Sequence, residues 1–142
     1  MLKITLENTV LTLSFDRVSA ANALNVEIYE AVHRALEKAA TQDDVKVVVI
    51  TGEGTRAFCS GADLKEFSDL DPVTAAHQRL SLLMRCFLEL IDFAKPVIAA
   101  VQAPAVGAGL MKDNTPPTAS EPYSAEAEPL RISAVRYKEG SK

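Results

Sequence analysis

The chain has 142 residues, enough for one domain with its own core, and its composition (48% hydrophobic, 24% charged) is that of a globular protein. A formal net charge of −4 and the absence of tryptophan argue against the basic surfaces and stacking platforms of nucleic-acid-binding proteins. No apolar run reaches membrane-spanning length and no segment resembles a signal peptide. The expected compartment is the cytoplasm, with the mitochondrial matrix as the alternative.

The first third of the chain predicts a hairpin followed by a helix. Residues 2–7 and 10–15 alternate apolar and polar side chains, and Asn8 lies where the turn between two strands is expected. Asn25 is a favourable N-cap, and apolar residues recur at helical spacing after it. We therefore expect a helix over residues 26–40.

The middle of the chain predicts two strands separated by a second helix. Residues 45–51 form a β-branched run, typical of a strand that is buried on both faces. Asp71 followed by Pro72 marks the start of a helix that continues to about Phe93, and residues 96–102 predict the next buried strand. The order β-β-α-β-α-β predicts a layered α/β fold.

The composition changes abruptly at about Met111. Residues 111–142 contain four of the seven prolines and no sustained hydrophobic period. Such a segment buries too little surface to offset its ordering entropy, so we expect much of it to be mobile, with a short strand or helix around residues 130–137. The chain is therefore divided into residues 1–110 and a Pro-rich tail.

Two loops rich in small residues follow the predicted buried strands. AFCSGADLKEF occupies residues 57–67, and APAVGAGLM occupies residues 103–111. Ligands of layered α/β folds gather where strands end, and two N–H groups converging on one oxygen would stabilise charge on a thioester or ester carbonyl. The alternatives are a tight connection with a positive φ at Gly61 and, for VGAGL, a helix packed closely against a strand.

The cysteines and histidines form no recognisable catalytic or metal-binding set. Cys59 and Cys86 lie among apolar or small residues, as reduced thiols do. His33 and His77 both fall within predicted helices, where packed or exposed histidines are common. The glycine pattern lacks the third glycine of a dinucleotide fingerprint and the Gly-Lys-Ser/Thr of a phosphate loop. No metal site is expected.

Three motifs in register resemble the enoyl-CoA hydratase/isomerase (crotonase) family. They are SAANALN before the first helix, AFCSGADLKE after the third strand, and KPVIAAVQAPAVGAG around the fourth. The resemblance covers residues 1–110 and implies an incomplete crotonase-like ββα spiral followed by an irregular C-terminal tail. It also implies an acyl-CoA thioester as ligand and assembly into a homo-oligomer, a trimer or hexamer. No metal or redox cofactor is implied, because CoA enters as part of the substrate.

The resemblance also assigns roles to individual residues. Ala62 corresponds to the first backbone N–H donor of the family's oxyanion hole, and Ala108 corresponds to the second. Arg17 and Lys65 are placed near CoA phosphates or the adenine end. The full set of implied substrate-binding residues is Ala23, Leu24, Ser60, Gly61, Ala62, Asp63, Leu64, Lys65, Gly107 and Ala108.

The chain departs from the family at its acid/base positions. Hydratases of the family use two glutamates; the first falls on Met111 here, and the second corresponds to a region that this sequence does not contain. Glu66 is the acid closest to the first loop. The first hypothesis is therefore an acyl-CoA-binding protein that stabilises a thioester enolate, for hydration or isomerisation of an enoyl-CoA.

The alternative hypothesis is a truncated, non-catalytic family fragment that associates with a full-length relative or has no function. The family pattern ends within one residue of the composition change at Met111. An incomplete spiral would leave the strands at residues 45–51 and 96–101 without covering neighbours, so we expect exposed apolar patches and association. The apolar stripe of residues 80–91 is expected to be core or subunit interface.

Overall fold

The structure is a computed structural model that describes residues 1–106 in full and the backbone of residues 131–136. The predicted boundary at Met111 and most of the Pro-rich tail lie outside these residues. The strands and α-helices, in chain order, are β1 (Leu2–Glu7), β2 (Val10–Phe15), α1 (Val26–Thr41), β3 (Val47–Gly52), α2 (Pro72–Asp92), β4 (Val97–Val101) and β5 (Arg131–Arg136). This order confirms the predicted β-β-α-β-α-β arrangement and adds a strand to it.

The strands form one five-stranded sheet in the order β1-β2-β3-β4-β5. The two outer pairs, β1–β2 and β4–β5, are antiparallel, whereas β3 is parallel to both of its neighbours, β2 and β4. Both β3 and β4 therefore have a strand on each side, whereas the prediction of missing neighbours concerned the layer that would cover them. The strand at residues 131–136 pairs with the edge of β4, so part of the expected irregular tail belongs to the sheet.

Helix α1 covers one face of the sheet and supplies much of the core. Asn25 caps it as predicted, because its side-chain oxygen accepts from the Ile28 N–H at 3.1 Å. Six of its residues are buried against the sheet: Ile28, Tyr29, Val32, Ala35, Leu36 and Ala39. On β3, Val48 and Ile50 face this core, while Val47 and Val49 are only half-buried. The prediction that β3 is buried on both faces was wrong, because the packed core lies on one face.

Helix α2 divides its apolar residues between the inside and the outside of the molecule. The predicted cap is confirmed, since the Asp71 carboxylate accepts from the N–H groups of Val73 and Thr74. Half-buried residues such as Phe87 and Leu90 pack toward the core. No residue of α2 is fully buried, and five large apolar side chains are exposed: Val73, Leu80, Met84, Leu88 and Ile91. The apolar residues predicted on one side of α2 therefore lie partly against the core and partly on the outer surface of the molecule.

Neither α1 nor α2 is long and apolar enough to cross a membrane, and no other described helix is.

Lys95 fastens the C-terminal end of α1. Its Nζ donates to the carbonyls of Ala39 at 2.5 Å and Gln42 at 2.6 Å, and its side chain is partly buried. These carbonyls belong to the end of the helix, where backbone acceptors have no partner within the helix and where a cation is favoured by the helix dipole. Lys95 therefore joins the loop before β4 to α1.

Replacing Lys95 by methionine is expected to lower the free energy of unfolding by about 1–3 kcal/mol, because hydrogen bonds to a charged group are lost. Urea denaturation would measure the change. Lys38→Met is the matched control, since Lys38 is an exposed cation in the last turn of the same helix. Equal losses in the two variants would contradict a specific role for the Lys95 hydrogen bonds.

Candidate functional site

Beyond the ends of β2, β3 and β4, three loop segments run side by side in the same order as the strands. Leu24 forms a parallel bridge with Ala62, and Cys59 forms one with Ala105. The N–H of Val106 donates to the carbonyl of Cys59 at 2.8 Å. The structure thus brings the segments that carry the three sequence motifs together at one end of the sheet.

Peptide geometry directs the N–H of Ala62 away from Leu24. The Leu24 N–H donates to the Gly61 carbonyl at 2.8 Å, and the Asp63 N–H donates to the Leu24 carbonyl at 2.8 Å. Because the Gly61–Ala62 peptide is trans, its C=O and N–H point in opposite directions. Ala62 is half-buried, and within residues 1–106 its N–H donates to no protein acceptor. The segment therefore presents an unpaired backbone donor on the side opposite Leu24.

The buried side chain of Asn22 ties the SAANALN segment to the loop after β3. Its amide nitrogen donates to the carbonyls of Glu53 at 2.9 Å and Ala57 at 2.8 Å, and its amide oxygen accepts from the Arg17 N–H at 3.0 Å. The backbone of Asn22 is left-handed, with φ of 54°, a conformation that asparagine adopts more readily than most residues. Asn22 thus fixes the spacing between two segments of the site.

Arg17 and Asp63 form a partly buried ion pair beside Ala62. One guanidinium nitrogen of Arg17 lies 2.9 Å from Asp63 Oδ2, and the other donates to the Ala23 carbonyl at 2.8 Å. The Arg17 hydrogen bond, helped by the Lys65 backbone N–H, holds the pKa of Asp63 below its usual value, although burial opposes this. In the structure Arg17 holds Ala23 and Asp63 in place, and its predicted contact with CoA phosphates or the adenine end stays a prediction.

Two glycines allow the close approach of these segments. Gly61 has a φ of 93°, which confirms the predicted positive value. At Gly52, the last residue of β3, a Cβ atom would lie 2.5 Å from the Phe58 carbonyl and 2.9 Å from the Asn22 amide nitrogen. Gln102 also reaches this point, donating to the Gly52 carbonyl at 2.5 Å. A side chain at Gly52 would therefore push the segments apart.

The other predicted substrate-binding residues differ in exposure. Ala23 is buried. Ser60 is half-buried, and its hydroxyl donates to the Ala20 carbonyl at 3.4 Å. Leu64 and Lys65 are exposed at the surface beside Asp63, so they are accessible to a ligand.

Three of the predicted positions lie outside the described residues. They are Ala108, the predicted second donor, its neighbour Gly107, and Met111, which occupies the position of the family's first glutamate. Glu66 lies within them, and its carboxylate accepts from the Val26 N–H at 2.8 Å. Glu66 therefore helps to cap α1, where a negative charge is favoured at the helix N-terminus.

The structure gives Cys59 no features of a nucleophile. It is 1% exposed, and burial raises the pKa of its thiol. Cys59 and Cys86 are both reduced, as expected. His33 Nδ1 lies 2.8 Å from Glu89 Oε1, and His77 is exposed on α2. Within the described parts of the chain, no three His, Cys, Asp or Glu side chains are placed to hold a metal ion.

Comparison with known proteins identifies the family. The family model described as enoyl-CoA hydratase/isomerase matches residues 5–112. The chain belongs to this family. Its fold also matches the crystal structure of an enoyl-CoA hydratase from Bacillus anthracis, with a TM-score of 0.71 and 29% identity over 76% of this chain and 42% of that one. The sequence resemblance and the crotonase-like fold are thereby confirmed.

Curated members of the enoyl-CoA hydratase/isomerase family carry different reaction names. Enoyl-CoA delta isomerase 2 of Homo sapiens is 41% identical over 75% of this chain and 27% of the relative. The 2,3-dehydroadipyl-CoA hydratase of Escherichia coli is 39% identical over 72% of this chain and 39% of the relative. The chain thus spans less than half the length of these relatives.

The sequence reasoning missed three residues that shape this family site. They are Asn22, Gly52 and Gln102. The side-chain amides of Asn22 and Gln102 both lie against Gly52, the last residue of β3. Only Asn22 gave a local signal, as a polar residue in an otherwise small and apolar motif. The contacts of Gly52 and Gln102 join positions 50 residues apart, so no local pattern indicates them.

The Arg17–Asp63 ion pair predicts a specific dependence of stability on pH. Because the folded-state pKa of Asp63 is lowered, its contribution is fully present above the unfolded pKa of about 4 and is lost as pH falls through the folded value. We expect Asp63→Asn to lower the free energy of unfolding by about 1–3 kcal/mol at pH 7.

The difference between wild type and Asp63→Asn should shrink below about pH 4, as measured by urea denaturation across pH. Asp44→Asn is the control, because Asp44 is exposed and has no ion pair within the described residues. A difference that stays constant down to pH 2 would contradict the assignment.

Proposed function

We propose that this chain binds an acyl-CoA thioester and that the N–H of Ala62 donates to the thioester carbonyl oxygen. The observation that carries the proposal is the unpaired Ala62 N–H, held by the pairing of Leu24 with Gly61 and Asp63. An unpaired, accessible backbone donor in a fixed position suits an oxygen on which charge develops. Membership of the enoyl-CoA hydratase/isomerase family supports an acyl-CoA ligand.

The pairing of the two loops supports Ala108 as the second donor. Cys59 faces Ala105 in a parallel bridge, an offset of 46 positions. The same offset applied to Ala62 gives position 108, the residue that the sequence motif also selects. Two N–H groups at these positions would share one thioester oxygen and stabilise an enolate.

The reaction that follows would be hydration or isomerisation of an enoyl-CoA, with CoA as part of the substrate and no further cofactor. Polarisation of the thioester makes the neighbouring carbon easier to deprotonate or to attack, but a proton must still be moved by an acid or base. Glu66 is occupied by the Val26 N–H, and Met111 has no titratable group. The proton-transferring group would then be Glu66 itself, a residue of the C-terminal tail or a residue of another chain.

Replacing Ala62 by lactic acid, which turns the Gly61–Ala62 amide into an ester, removes only the proposed N–H donor. We expect the affinity for butyryl-CoA, measured by calorimetry, to fall about threefold to tenfold, as one hydrogen bond is lost. Free CoA lacks the carbonyl, so its affinity should not change. Ala62→Gly keeps the N–H and is the matched control.

A thermal melt of each variant would separate loss of binding from loss of folding, since a ligand that binds the native state raises the melting temperature. Equal weakening of butyryl-CoA and free CoA in the ester variant would contradict the role of the Ala62 N–H. Absence of any butyryl-CoA effect on the wild-type melt would contradict the binding function itself.

The second candidate function is association with another family chain. The observation in its favour is the exposed apolar surface of α2, where Val73 is 78% exposed, Leu80 57% and Leu88 51%. Clusters of exposed large apolar residues on a soluble protein commonly mark interaction sites. In this proposal the chain acts as a subunit, through a homo-oligomer or a complex with a longer relative.

Replacing Leu80 and Leu88 together by glutamate should shift a self-associating chain toward monomer, because charged side chains would be buried at the contact. Sedimentation velocity would measure the change. Ile4→Glu is the control, since Ile4 is 50% exposed but lies on β1. A wild-type chain that sediments as a monomer, or equal effects of both substitutions, would contradict self-association through α2.

A further inference from the structure

An apolar cavity lies between α1, α2 and the sheet. Its volume of about 60 Å³ exceeds the roughly 10–15 Å³ that one water molecule needs. Ile50 and Phe58 line it from the sheet side, Tyr29 from α1, and Leu83 and Phe87 from α2. Among the described residues, no charged side chain contributes to its lining. The cavity therefore suits an apolar ligand without a formal charge.

The hydroxyl of Tyr29 is the polar exception in this apolar lining. Tyr29 is 5% exposed, and its hydroxyl is buried without a hydrogen-bond partner in the described part of the chain. Burial raises the pKa of this phenol, which keeps the hydroxyl neutral. A buried hydroxyl without a partner costs free energy, and a ligand oxygen would remove that cost.

The cavity adjoins the proposed thioester site. Leu24 lines the cavity, and its backbone forms the bridge with Ala62. Cys59 also lines it, and the Cys59 sulfur accepts from the Gly61 N–H at 3.4 Å. Leu24 and Cys59 thus line the cavity and also contact the segment that carries Ala62.

We propose that this cavity binds an aliphatic chain bearing one neutral oxygen, a ketone or hydroxyl, which forms a hydrogen bond with Tyr29. This inference rests on the proposed function. The Tyr29 hydroxyl would then determine specificity for acyl chains that carry an oxygen substituent distant from the thioester. A distal carboxylate would be rejected, because the lining offers no cation to compensate for its burial.

The first test uses two acyl-CoA ligands of matched length, 5-oxohexanoyl-CoA and hexanoyl-CoA. We expect the wild type to bind the oxo compound about threefold to tenfold more tightly, the effect of one neutral hydrogen bond, as measured by calorimetry. Tyr29→Phe removes only the hydroxyl and should abolish this preference while leaving the affinity for hexanoyl-CoA unchanged. Its melting temperature should not fall, because the hydroxyl that is removed has no partner within residues 1–106.

The second test uses probes without CoA, hexan-2-one and 2-methylhex-1-ene, in which a methylene group replaces the carbonyl oxygen. NMR titration should show the same Tyr29-dependent preference for the ketone. Leu83→Trp, which fills the cavity, should abolish binding of both probes. Gln78→Trp is the control at an exposed position of the same helix.

The outcomes separate the two proposals. If acyl-CoA fails to bind but the ketone preference depends on Tyr29, the acyl-CoA function fails and the cavity site stands. If acyl-CoA binds and neither pair of ligands shows a Tyr29-dependent preference, the cavity proposal is overturned and the acyl-CoA function stands. Unchanged probe binding in Leu83→Trp would also overturn the cavity site.

Discussion

The hydrogen bonds that pair Leu24 with Gly61 and Asp63 are the constraint on which the candidate site depends. They satisfy the Gly61 carbonyl and the Asp63 N–H, and the planar trans peptide then turns the Ala62 N–H to the other side. The donor is thus oriented by the backbone alone. The side chain at this position is a single methyl group.

Several polar side chains near the site hold the backbone in place, and this limits the chemistry they can perform. Asn22 and Arg17 hold the SAANALN segment against the loop after β3, while Glu66 caps α1. The Arg17 guanidinium contacts Asp63 and a backbone carbonyl, whereas Lys65 is an exposed cation close to Ala62. These side chains therefore act mainly on the position of the backbone around Ala62.

Apolar residues of α2 line the cavity on one side of the helix and lie on the outer surface on the other. Leu83 and Phe87 line the cavity together with Tyr29, while Leu80 and Leu88 are exposed on the same helix. The contact between His33 Nδ1 and Glu89 Oε1, at 2.8 Å, links α2 to α1. Because α2 has no fully buried residue, its position relies on these half-buried contacts. Occupation of either surface by a ligand or another chain would stabilise the helix.

The sequence alone determined the order of the elements, the caps at Asn25 and Asp71, the positive φ of Gly61 and the family, because these depend on local patterns or motifs. Only the tertiary structure decided what Arg17 and Glu66 contact, why position 52 must be glycine, and that residues 131–136 complete the sheet. Each of these involves at least one contact between residues about 30 to 50 positions apart. Such contacts arise from the packing of loops at the end of the sheet, which leaves no periodic trace in the sequence.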